Sequence, residues 1–178
     1  MKSLCNNIET VRLTSCIAVT LLMANSAGAV TLNPGDSAVV DPGSQPASWN
    51  LVSAALTVNP GGQTLGIITE GASTLTINQG VIRGTGPIGT PETSRGIWLR
   101  GATATITDST ITSVNDLGLS INEGTPVAGP AVSTVTVTNS SITGKSRGVN
   151  VTSASVLTMV GSQAVSYTHL TLPTTPYV

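Results

Sequence analysis

The chain has 178 residues, a formal net charge of −1 and only 8% charged residues. So few cations exclude a nucleic-acid face, which needs clustered Lys and Arg, and the only two cysteines, Cys5 and Cys16, exclude a disulfide framework in everything that follows them. Aromatic residues make up 2% and Phe is absent, which argues against a bulky globular core.

Residues 1–29 read as a secretory signal peptide. Lys2 and Arg12 supply positive charge, weakened by Glu9, and the apolar run Leu13 to Ala24 is too short for a comfortable membrane span. Ala27 and Ala29 occupy the small-residue positions expected before cleavage, so the mature chain is expected to begin at Val30. Leu13, Thr14, Ser15 and Cys16 also resemble a lipoprotein cleavage box, but no apolar region precedes Cys16. Both cysteines belong to this leader, and a mature domain without disulfides needs another source of stability.

From Gly66 onward a two-part pattern recurs. Glycine-led apolar segments, GIIT from Gly66, GIWL from Gly96, GLSI from Gly118 and GVNV from Gly148, are each spaced 30, 22 and 30 residues from the next. Between them run STLTINQGVI (73–82), TATITDSTI (103–111) and STVTVTNSSI (133–142). A unit of about 22 residues with inserts of about eight fits this spacing better than a strict period. The inserts are GTGPIGTPET at 84–93 and EGTPVAGPA at 123–131, both rich in Pro and Gly.

In STVTVTNSS, Val135 and Val137 point one way and Thr134, Thr136 and Thr138 the other, which is strand periodicity. Ile77, Ile106 and Val137 each lie five residues before the next inward apolar position, at Ile82, Ile111 and Ile142. The constant step predicts a sharp turn at one place in every unit, built by NQG, TDST and TNSS. Strands this short cannot stand alone, so neighbouring units must supply the ladder and the stacked core. The expected fold is all-β, a right-handed parallel β-helix, partial and truncated at its C-terminal side. A β-sandwich also has alternating strands and turn-rich loops, but does not require a two-part repeat in register.

The stretch 165–178, VSYTHLTLPTTPYV, breaks the pattern and holds both tyrosines and the only histidine. Its first ten residues are similar to the translation of a common transposon-based sequencing adapter. The expectation is a non-native tail in which Tyr167, His169 and Tyr177 carry no function. Residues 30–164 would then be the N-terminal part of a longer chain, with an exposed final coil and a tendency to aggregate.

GASTLTINQGVIRGTG (71–86), SRGIWLRGATATITDSTITS (94–113) and KSRGVNVTS (145–153) resemble the coils of the pertactin-like passenger region of autotransporters. Ser141-Ile142-Thr143-Gly144 reproduces that family's recurring turn, and Val81-Ile82-Arg83-Gly84 gives a variant. The resemblance covers about residues 30–160. It implies a leader, a secreted β-helical passenger and a C-terminal outer-membrane β-barrel, with the passenger on the bacterial surface or released. It further implies adhesion or host interaction, a virulence role whose partners are surface proteins or glycans of host or neighbouring cells. Arg83-Gly84-Thr85, Arg95-Gly96-Ile97 and Arg147-Gly148-Val149 lack the carboxylate of an integrin-type signal.

Some β-helices are carbohydrate-active enzymes, whose sites need neighbouring carboxylates. Here Asp36, Asp41, Glu70, Glu92, Asp108, Asp116 and Glu123 are scattered among Arg83, Arg95, Arg100, Lys145 and Arg147. The best candidate cluster is Asp108 with Asp116 and Arg95 or Arg100. Asp108, however, is read at the turn position equivalent to Asn78 and Asn139, which favours a turn-capping carboxylate. Glu70 and Arg100 precede Gly71-Ala72 and Gly101-Ala102, matching positions that would pair them across coils. No P-loop, dinucleotide fingerprint, serine-protease nucleophile segment or His/Cys metal set is present, so no catalytic, cofactor or metal residue is assigned. Asn139-Ser140-Ser141 and Asn150-Val151-Thr152 match glycosylation triplets too short to be specific.

Trp49, in PASWNL, precedes the repeats and is read as a plug for the open first coil. Trp98 lies between Ile97 and Leu99, so alternation puts it on the opposite face, either as a contact residue or packed under the 84–93 insert. The preferred function is a non-catalytic surface passenger with its specificity in the inserts 84–93 and 123–131. An enzyme with its active site beyond residue 164 and a purely structural stalk are the alternatives.

Overall fold

A computed structural model describes residues 29–122 and 132–167 of the chain. The leader, the lipoprotein-like box, the 123–131 insert and the tail after Tyr167 lie outside the described residues.

The strands wind into six successive coils. The first holds β1 (Val30–Leu32) and β2 (Ser37–Val40); the second holds β3 (Trp49–Val52), β4 (Ala55–Val58) and β5 (Gln63–Thr64). The third holds β6 (Ile67–Glu70), β7 (Thr74–Asn78) and β8 (Val81–Gly84). A short helix α1 (Pro91–Ser94) precedes the fourth, which holds β9 (Ile97–Arg100), β10 (Thr103–Thr107) and β11 (Thr110–Ser113). The fifth holds β12 (Leu117–Asn122), β13 (Thr134–Thr138) and β14 (Ser141–Gly144); the sixth holds β15 (Arg147–Val151), β16 (Val156–Val160) and β17 (Gln163–Ser166).

Like strands stack into three sheets: A (β1-β3-β6-β9-β12-β15), B (β2-β4-β7-β10-β13-β16) and C (β5-β8-β11-β14-β17). Every strand pair is parallel, for example β7 with β10 and β10 with β13. The chain is therefore a parallel β-helix, wound with the right-handed crossovers that parallel strands adopt in nearly all proteins.

Registers convert the sequence pattern into core columns. Sheet A stacks Trp49, Ile67, Ile97, Leu119 and Val149; sheet B stacks Val58, Ile77, Ile106, Val137 and Met159; sheet C stacks Thr64, Ile82, Ile111, Ile142 and Ala164. Ile82, Ile97, Ile106, Ile111, Leu119 and Ile142 are fully buried. Burial of each contributes about 1.5–3 kcal/mol. Trp49 belongs to this core, with Val30 of the first coil beside it, so it packs inside the second coil and does not plug an end. In the sixth coil Leu157 and Met159 are only half-buried and Ala164 is exposed.

The five-residue step is a one-residue corner. Gln79, Asp108 and Asn139 sit between sheets B and C with φ of 49°, 48° and 49°, and Gly161 repeats the position at 59°. Short polar residues tolerate this left-handed backbone better than bulky or β-branched ones. Between sheets A and B the same device recurs at Ser53, Gly71, Gly101 and Ser153.

The glycines that lead the sheet A strands answer a different need. A Cβ on Gly118 would lie 2.7 Å from the Gly148 carbonyl oxygen and 2.8 Å from Ile142 Cγ2; one on Gly96 would lie 2.4 Å from the Gly118 oxygen. Sheets C and A meet so closely there that only hydrogen fits.

Candidate functional site

The outer face of sheet A gathers the side chains that could engage a partner. Burial alternates along β9: Ile97 and Leu99 point into the core, while Trp98 and Arg100 point out and are half-covered. The Arg95 guanidinium carbon lies 4.0 Å from the Trp98 ring centroid and that of Arg100 lies 4.9 Å away. Both are within cation–π range. Trp98 Nε1–H donates to Asn122 Oδ1 at 2.8 Å, and Ser120 Oγ–H donates to the same oxygen at 3.0 Å.

Each guanidinium also has an acid. Arg95 Nε–H donates to Asp116 Oδ2 at 3.2 Å, and Arg100 pairs with Glu70, its register partner on β6. The result is one relay across the face, Asp116 to Arg95 to Trp98 to Arg100 to Glu70. The expected Glu70–Arg100 pair is therefore present, and Trp98 does face away from Ile97 and Leu99. Guanidinium groups cover the indole, whereas α1 in the 84–93 insert lies against β6.

The candidate carboxylate cluster comes together only in part. Asp116 meets Arg95 at the corner where sheet C leads into sheet A, but Asp108 stands exposed at the corner between sheets B and C. Asp108 is equivalent to Gln79 and Asn139; Asn78 is instead the register partner of Thr107. Counting from Ile77 and from Ile106 shows why: Thr107, not Asp108, is the residue that follows directly. The capping at this corner is done by the next residue, Ser109, whose Oγ accepts from Gly80 N–H and donates to the Thr107 carbonyl. On this face Asp116 and Glu70 are each paired with an arginine. Among the described residues no three His, Cys, Asp or Glu side chains are grouped to hold a metal ion.

The 84–93 insert borders this face. It joins β8 of sheet C to β9, entering sheet A at its leading edge. It is anchored at its base, where Gly86 N–H donates to the Thr93 carbonyl at 2.8 Å and Asn115 Nδ2–H donates to the Gly86 carbonyl at 2.9 Å. Its tip residue Ile88 is 73% exposed. The sequence pattern placed the 84–93 insert but could not show that it leads into sheet A. Asn122 and Ser120 were missed because nothing local marks them; their role comes from stacking beside Trp98 and Arg100 in register.

Among the described residues no helix is long and apolar enough to cross a membrane. Compared with protein-family models, with curated proteins and with solved structures, the chain matches none.

Proposed function

We propose that this chain is a non-catalytic binding stalk, the secreted passenger of an autotransporter-like bacterial surface protein, and that sheet A is its contact face. The observation that carries the binding role is the place of Trp98 on the outer face of sheet A, with the Arg95 and Arg100 guanidiniums against its ring. A half-covered indole held by two guanidiniums has the aromatic and arginine character of a recognition surface, and the tethered 84–93 insert that leads into the same strand carries the exposed Ile88. The leader-like residues 1–29 and the pertactin-like coil pattern support export and display at the cell surface. The partner is then a protein or glycan of a host or neighbouring cell.

Replacing residues 84–93 and 123–131 by short turns in the complete protein tests this reading. The expected outcome is an unchanged β-rich far-ultraviolet circular dichroism spectrum with reduced cell attachment. Attachment equal to that of the unaltered protein would overturn it.

A further inference from the structure

Sheet B presents an outer face unlike the other two. Its outward positions on three adjacent strands are Thr74 and Thr76 on β7, Thr103 and Thr105 on β10, and Thr134 and Thr136 on β13, all six exposed. The registers align them without slip: Thr74 with Thr103 and Thr134, and Thr76 with Thr105 and Thr136. Thr57 on β4 and Thr158 on β16 extend the second column at either end, and Thr107 and Thr138 begin a third. Strand geometry sets the repeats of this lattice at about 4.7–4.9 Å across strands and about 6.4–6.8 Å along them.

Ordinary solvation of a strand face does not account for the pattern. Outward positions on sheets A and C include Glu70, Arg100 and Arg83, whereas no outward position on β4, β7, β10, β13 or β16 is charged. None of the six threonine hydroxyls has a protein hydrogen-bond partner among the described residues. The array is also stiff, since β7, β10 and β13 are each paired on both sides. A rigid plane of uncommitted hydroxyls and methyls at two fixed repeats is complementary to a surface that is itself periodic and made of hydrogen-bonding oxygens.

We infer that the outer face of sheet B binds ice. Its across-strand repeat is near the shorter oxygen repeat of the prism face of hexagonal ice, its along-strand repeat falls somewhat short of the longer one, and strand geometry holds both without any ligand. Each hydroxyl anchors a water at a lattice position. The methyls between them order the intervening water and leave no charge to pull it into an ionic hydration shell. The site lies on a different face of the prism from the sheet A surface and does not depend on it.

The test is growth of single ice crystals in the full chain by nanolitre osmometry, with inhibition of ice recrystallisation as a second readout. The expected result is a temperature gap over which crystals neither grow nor melt. Thr105→Tyr, which raises a ring from the centre of the lattice, is expected to close the gap to the buffer level, while Ser141→Tyr on sheet C leaves it unchanged. Circular dichroism establishes that each variant is folded. If Thr105→Tyr does not fold, Thr105→Ser keeps the hydroxyl, removes the methyl and is expected to narrow the gap. Crystals that grow in the unaltered protein as in buffer would overturn the inference, as would a folded Thr105→Tyr with full activity. Retention on an insoluble crystalline polysaccharide with no effect on ice would overturn it too.

Discussion

Glu70 on β6 and Arg100 on β9 are register partners whose side chains close an ion pair on the outer face of sheet A. Both are partly exposed, with side-chain accessibilities of 32% and 24%, so water screens them and the pair adds little to stability. A double-mutant cycle with Glu70→Gln and Arg100→Gln is expected to give a coupling below about 1 kcal/mol, shrinking as salt is added. Chemical denaturation at two ionic strengths measures it. A larger coupling that persists in salt would mean that the Arg95–Trp98–Arg100 stack shields the pair from solvent.

Thr69 occupies a core column between Leu51 and Leu99, fully buried, and its Oγ1 has no hydrogen-bond partner. An unmade buried hydrogen bond costs about 1–3 kcal/mol, and Val has nearly the same shape without the hydroxyl. Thr69→Val is expected to raise the unfolding midpoint, whereas Thr69→Ser, which keeps the hydroxyl and opens a methyl-sized gap, lowers it. Thermal melts of the two variants beside the parent check the sign in each direction.

A serine ladder closes the corner between sheets B and C. Ser109 N–H donates to Ser140 Oγ at 3.0 Å, Ser140 N–H donates to Ser162 Oγ at 3.0 Å, and each hydroxyl donates in turn to a carbonyl two residues earlier. Ser109→Ala strips the partner from the buried Gly80 N–H and is expected to destabilise by about 1–3 kcal/mol. Ser162→Ala, in the less covered sixth coil, is expected to lose less. Denaturation midpoints for the two variants should rank in that order; equal losses would show that burial does not govern the ladder.

Coils three to five were legible because Ile77 and Ile82, Ile106 and Ile111, and Val137 and Ile142 repeat one constant step across the corner, while of the sixth only the GVNV segment from Gly148 stood out. The first two coils were not. Pro34-Gly35 and Pro42-Gly43 stand there in place of a glycine-led segment, and Trp49 to Ile67 spans 18 residues, shorter than the later spacings. The Glu70–Arg100 pair was legible because both residues precede a Gly-Ala corner. The Asp116–Arg95 pair was only half-legible, since Arg95 follows an insert whose length hides its register. The polar links Ser109–Ser140 and Trp98–Asn122 join residues 31 and 24 apart, and only the winding of the chain brings them together.

Gly118 tests why glycine leads the strands of sheet A. Its φ is not in the left-handed region, so the constraint is space and not backbone conformation. An added methyl would meet the Gly148 carbonyl oxygen at 2.7 Å, the Thr143 carbonyl oxygen at 2.8 Å and Ile142 Cγ2 at 2.8 Å. Two of these are backbone atoms of the strands that stack the fifth coil on the sixth, so they can retreat only by opening the ladder. Gly118→Ala is therefore expected to cost at least the ~1–3 kcal/mol typical of overpacking. Amide hydrogen exchange should place the damage in β14 and β15, with β7 and β10 still protected. Gly89→Ala is the matched control, because a methyl there meets nothing within 4 Å and only the positive φ of 96° opposes it. If Gly118→Ala leaves protection in β14 and β15 unchanged, the two sheets have room to part, and close approach is not what keeps glycine at this position.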